Sequence, residues 1–268
     1  MILGSIHFAS GNTVTLFALG GFLTLLCFYG WMVRGNLARP VLTTQPFALP
    51  DALCAGILAL WMISMISRSL DAPQHITIGT IIANSILYGT LILGIFGVIG
   101  FQKQSAISIF SLQPSRFAGS AATGLLWLLV SYPLILACQA VVQQCLGCAD
   151  DSQLIVRYFL EHPDLRHRGA VILMAVIVAP VAEEVIFRGY FYGVIRRYGG
   201  RIPAILTSSL LFAAIHVHLP SVPGLILLAI ILTLLYERTG SLWAPITMHA
   251  AFNASTILFL IFWPEMAS

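Results

Sequence analysis

The chain has 268 residues, 59% hydrophobic and 9% charged, with a net charge of +3 and a mean hydropathy of +0.93. A soluble domain carries about 25% charged residues, so this one has too little polar surface to stay dispersed, and an integral membrane protein is predicted. The small positive charge is scattered, with no basic cluster or RNA-binding signature, which excludes nucleic acid as a partner.

The apolar stretches run on without polar alternation, which predicts membrane-spanning helices and not the ten-residue alternating strands of a barrel. About eight spans are expected, near 13–33, 47–67, 76–101, 120–148, 170–197, 202–217, 222–236 and 242–262. No positively charged leader or A-x-A site precedes the first, so it reads as a retained span. The sixth and seventh are short, and a tilted or re-entrant course is expected for them. In the longest polar break, 149–169, Leu154, Ile155, Tyr158 and Phe159 share one helical face. That pattern predicts a short amphipathic helix on the membrane surface, with a solvated loop as the alternative. Gly94, Gly97 and Gly100 are three apart and predict close helix packing.

Arg34, Arg39, Lys103, Arg116, Arg196, Arg197, Arg201 and Arg238 fall on one side of this topology. Arg68, Arg157, Arg166 and Arg168 fall on the other, which favours an external N-terminus. Cys27, Cys54 and Cys138 lie in apolar runs and read as small hydrophobes. Cys145 and Cys148 form CLGC, a conceivable redox pair or metal half-site, but no second CxxC completes a zinc site. Residues 1–119 carry no motif, and 120–268 are expected to form a separate motif-bearing helix bundle.

A charge at the centre of a membrane costs at least about 2.5–3.5 kcal/mol, yet several ionisable residues gather in the C-terminal third. APVAEEVIFRG, residues 179–189, carries Glu183, Glu184 and Arg188. Adjacent helical residues point about 100° apart, so the two glutamates face different surroundings. Glu184 and Arg188 have the i,i+4 spacing of an ion pair. Glu183 has no local cation and is the candidate general base. Pro180 removes a backbone donor and is expected to kink the helix and free the carbonyl of Val176. Such a break is tolerated at membrane depth where it lines a watery cavity.

His216 closes FAAIH. His249 and Asn253, four apart in HAAFN, share a face and can both donate toward one oxygen, as an oxyanion site requires. Each residue also has a plainer reading. The Glu–Arg pair could fix helix register, His216 could be a satisfied histidine at a helix end beside a loop His218, and Asn253 could join helices. The recurrence of the membrane cost at every one of these positions favours a site.

EEVIFRG at 183–189, FAAIH at 212–216 and GSLWAPITMHAAFN at 240–253 resemble, in order and spacing, three motifs of one family. It is the CAAX protease and bacteriocin-processing (CPBP, Abi) membrane proteins, which include Rce1-like glutamic intramembrane endopeptidases. The resemblance implies an all-α, polytopic bundle with a polar intramembrane cavity. It also implies peptide hydrolysis without a covalent intermediate, on a membrane-tethered protein or peptide within the lipid bilayer. Carried over, Glu183 and His216 activate water, His249 and Asn253 hold the oxyanion, and Glu184 and Arg188 support the site.

No cofactor is expected. The family has also been described as metalloproteases, and Glu183, His216 and His249 would then be the zinc ligands, although HExxH is absent. Ser208 and Ser209 have no accompanying base to make a nucleophile. The low charge and lack of long loops point to a bacterial inner membrane. Two rival readings stand beside the protease: a non-catalytic immunity or binding protein of the same family, and a small transporter with a proton relay. The transporter is disfavoured by the lack of an inverted repeat.

Overall fold

The computed structural model describes residue 42 and residues 46–71, 75–146 and 154–263. The expected first span, with Cys27, Arg34 and Arg39, lies outside the described residues, as do Cys148 and the side chain of Cys145. The described chain forms helices α1 (Leu49–Asp71), α2 (Ile78–Phe101), a single turn α3 (Ala106–Ile109), α4 (Phe117–Leu146) and α5 (Leu154–Glu161). These are followed by α6 (Leu165–Gly199), α7 (Arg201–Ala214), α8 (Val222–Thr239) and α9 (Trp243–Phe262).

All the expected spans within the described residues are present, and six helical stretches are long and apolar enough to cross a membrane. The protein is an integral membrane helix bundle. Exposed Leu53, Ile57 and Leu60 of α1 and Ile82, Ile86 and Leu93 of α2 present apolar faces suited to lipid. Polar side chains start the helices. Asp51 accepts the Ala48 N–H at 2.8 Å, and Thr77 and Thr80 form a reciprocal capping box on α2. Asp164 caps α6, and its hydrogen bond from the His167 ring holds its carboxyl below the usual carboxylate range.

Two features set the depth of the site. At about 1.5 Å per residue, α7 with its 14 residues is about 21 Å long, shorter than the hydrocarbon core of about 30 Å. The chain therefore turns back at membrane depth through 215–218, and Val217 adopts φ 45° there. Irregular backbone at that depth must be buried or line a cavity, and His216 lines one. The second feature is Gly124 on α4. A Cβ there would meet the Ala244 carbonyl oxygen at 2.4 Å, so glycine alone lets the α9 backbone approach. The start of α9 is pinned again where Leu242 N–H donates to the Phe110 carbonyl and Ser241 Oγ to that of Ser111.

Two expectations need correction. The amphipathic helix exists as α5, but Val156, Tyr158 and Phe159 are buried in a cluster with Ile81, Val171, Ile257 and Leu260. Its apolar face packs on the bundle, where protein offers closer contacts than lipid. Among the described residues the α2 glycines receive no packing partner: nothing lies within 4 Å of a Cβ built on Gly94, Gly97 or Gly100.

Candidate active site

Helix α6 is one rod with two stretches of wider π-type turns, Leu173–Val178 and Glu184–Phe191, on either side of Pro180. In the first, Ala179 N–H reaches back five residues to the Met174 carbonyl. The next donor in that register is residue 180, a proline without an N–H, so the Ala175 carbonyl is left over. Asn253 Nδ2 from α9 donates to it at 2.8 Å. The sequence had pointed to the Val176 carbonyl; in the five-residue register the carbonyl opposite Pro180 is that of Ala175. Proline thus creates the acceptor that ties α9 to α6.

The turn after Pro180 carries the two glutamates, both buried. Glu184 points into protein. Its Oε1 accepts from Arg188 Nη1 at 2.8 Å and from His249 Nδ1 at 2.9 Å. Arg188 lies over the Phe212 ring at 4.4 Å, a cation–π contact that further compensates its desolvation. The same ring packs against His216 at 4.9 Å and edge-on to His249 at 5.8 Å. The phenylalanine of FAAIH therefore spaces three polar partners.

Glu183 turns the other way, into a cavity of about 250 Å3. Tyr88, Asn84, His216, His249 and Asn253 also line it. Tyr88 donates its hydroxyl to Glu183 Oε1 at 2.7 Å, and His249 Nε2 stands 3.8 Å from Oε2. That gap is too long for a hydrogen bond, but one water in the cavity can sit about 2.8 Å from both atoms.

The histidine tautomers follow from their partners. A carbonyl and a carboxylate only accept, so His216 Nδ1 donates to the Phe212 carbonyl at 2.8 Å and His249 Nδ1 to Glu184. In the neutral rings both Nε2 atoms are then acceptors. All six residues singled out in the sequence converge here, although the histidine nearest the Glu183 carboxylate is His249, where the motif resemblance had paired it with His216. The trio Glu183, His216 and His249 does not assemble as a ligand set. Among the described residues no three His, Cys, Asp or Glu side chains are grouped to hold a metal ion. Sequence reasoning missed Tyr88 and Asn84. The available signal was the i,i+4 row of Thr80, Asn84 and Tyr88, hydrogen-bonding side chains that share one face of a membrane-spanning helix.

Residues 167–255 match the family of type II CAAX prenyl endopeptidases, Rce1-like. Over that segment, about a third of its length, the chain is similar to the Rce1-like family. The match runs along α6, α7, α8 and most of α9 and includes every motif residue; Tyr88 and α2 lie outside it. One relative is the "Putative membrane peptidase YdiL" of Bacillus subtilis (strain 168), 30% identical over 88 residues, 33% of this chain and 36% of that protein. Another is the UPF0177 protein YbdI of Lactococcus lactis subsp. lactis (strain IL1403), 32% identical over 92 residues, 34% of this chain and 49% of that protein. The similarity thus spans between about a third and a half of the length of these relatives. No solved structure matches the chain.

Proposed function

We propose that this protein is an intramembrane endopeptidase that hydrolyses a peptide bond in another membrane-tethered protein or peptide, with water activated by Glu183. The observation that carries the reading is the Glu183 carboxylate facing the His249 Nε2 lone pair across 3.8 Å of a polar cavity. A water donating to both acceptors turns its own lone pair outward, toward a substrate carbonyl. Glu184 supports this arrangement by holding His249 Nδ1–H, which fixes ring and tautomer. Arg188 neutralises Glu184, so that Glu183 is the carboxylate left for chemistry.

Asn253 spends one amide N–H on Ala175 and has a second for the oxyanion. His216 Nε2 supplies a further acceptor on the cavity wall. The mechanism is written with the protein's own side chains alone. The working unit in this reading is the 120–268 bundle with α2 as its remaining wall. The family relatives, both bacterial, support a bacterial cell membrane as its location.

The test compares protein termini in host membranes carrying wild type or Glu183→Gln at equal expression. A precursor left uncut only in the variant supports the protease and names its substrate. Identical termini with a folded wild type would overturn it in favour of the immunity or binding reading.

A further inference from the structure

The proposed site is short of hydrogen-bond donors. Both histidines commit Nδ1–H to protein acceptors, and Asn253 commits one of its two N–H groups. Tyr88 faces the same cavity from α2, with a hydroxyl held at 2.7 Å from Glu183 Oε1. It lies ten residues into α2, about 15 Å from its start at 1.5 Å per residue, the middle of a membrane core of about 30 Å. We propose that Tyr88 is a further catalytic residue, which donates its phenolic O–H to the oxyanion formed when a peptide bond is attacked in this cavity. The proposal rests on the reading of Glu183 as the base.

The chemistry moves one negative charge, and the Tyr88 hydrogen bond follows it. Before attack the charge is on Glu183, and the phenol donates to that carboxylate. As the water oxygen bonds to the carbonyl carbon, Glu183 takes one water proton and the C=O π pair moves onto the carbonyl oxygen. Glu183 is now neutral and a weaker acceptor, while the new oxyanion is a strong one. Tyr88 shifts its O–H to that oxygen and transfers no proton. On collapse the pair re-forms C=O and the C–N bond breaks. Nitrogen takes the proton from Glu183, leaving a carboxylic acid and an amine. A donor already aimed at the developing charge is worth more than one that must reorient to meet it.

Asn84, one turn before Tyr88 on the same face, lines the cavity as well. Four residues of helix rise about 6 Å, near two residues of extended peptide. Its amide is therefore placed for the substrate backbone beside the scissile bond.

The test uses full-length protein in liposomes and a quenched-fluorophore random-octapeptide library tethered by an alkyl chain. Tyr88→Phe keeps the ring and removes the hydroxyl. The expected result is a fall in kcat of about 10²–10³-fold, the usual loss of one oxyanion donor, with KM within about threefold of wild type. Fluorotyrosines placed at position 88 should shift kcat progressively with phenol acidity, which a merely structural tyrosine would not do. Wild-type kcat in Tyr88→Phe, or a kcat flat across the fluorotyrosines, overturns the proposal. Full activity in Glu183→Gln overturns the base assignment instead. If the wild type cleaves neither the library nor any host membrane protein, both assignments fall.

Discussion

Two clusters of buried charge lie on successive turns of α6, and they are finished differently. Around Glu237, at the end of α8, every carboxylate lone pair is used. Oε1 accepts from the Tyr192 hydroxyl and Arg201 Nε, and Oε2 from Arg201 Nε at 3.0 Å and Nη2 at 2.8 Å. Arg196 adds a second guanidinium 4.0 Å from Oε1 and donates to the Leu42 carbonyl. This closed knot ties the end of α6, the start of α7 and the end of α8 around Gly200, whose φ of 86° suits glycine.

Around Glu183 and Glu184 the valences stay open. Glu184 Oε2 and Arg188 Nη2 are buried without a partner among the described residues, and Glu183 Oε2 faces a cavity. Burial of charge is common to both clusters and so does not mark a site. Arg196 Nη1 in the first cluster also lacks a hydrogen-bond partner among the described residues, so what distinguishes the second is carboxylate capacity left unspent, with Glu183 aimed at a cavity.

Glu183→Gln gives the sharpest separation. Removing the proposed base should lower kcat/KM by up to about 10⁴-fold, with a melting temperature near that of wild type, because the neutral isostere still accepts from Tyr88. A large loss of stability would mean that Glu183 is as closed in as Glu237. Glu184→Gln stands next. Both partners are essentially fully buried, and stripping the charge from one side of such a pair costs about 3–5 kcal/mol. Activity should fall too, since His249 loses its anchoring carboxylate. Chemical denaturation and initial rates measured on the same preparation check both effects. A variant as stable as wild type would refute the ion-pair argument.

Glu237→Gln should show the reverse pattern: a stability loss of about 2 kcal/mol, in the range for hydrogen bonds to charged groups, with the turnover of each folded molecule unchanged. Its cost is smaller because Arg201, at 34% exposure, can turn to water. Turnover that falls more than the folded fraction would erase the contrast between the clusters.

The two regions were not equally legible in the sequence. Hydropathy and length place every described span, because the membrane demands uninterrupted apolar helices. The Glu184–Arg188 pair is read from spacing alone, being local to one helix. The contacts that close each cluster are not local. Tyr88 meets Glu183 across 95 residues, and Tyr192 meets Glu237 across 45. Asn84, four residues before Tyr88, is a faint local mark, nothing beside Tyr192 marks it, and the arginines of the closed knot look in sequence like ordinary loop cations. The Gly94, Gly97 and Gly100 row looked like a packing face, but among the described residues nothing uses it, since small residues permit an approach without causing one.

The smallest effect concerns Asn253 and separates its two duties. Asn253→Ala removes the donor to the Ala175 carbonyl, which should cost about 1 kcal/mol. Pro180→Ala restores an N–H at the one place where the wider register can use it, opposite that same carbonyl. In the Pro180→Ala background the stability loss from Asn253→Ala should therefore shrink, a coupling of at least about 0.5 kcal/mol between contacting sites. Turnover should respond differently. A restored backbone bond refastens the helix but sends no N–H into the cavity, so the kcat deficit of Asn253→Ala should persist in the double variant. If kcat recovered along with stability, Asn253 would be joinery between α9 and α6, and Tyr88 would be left as the chief donor to the oxyanion.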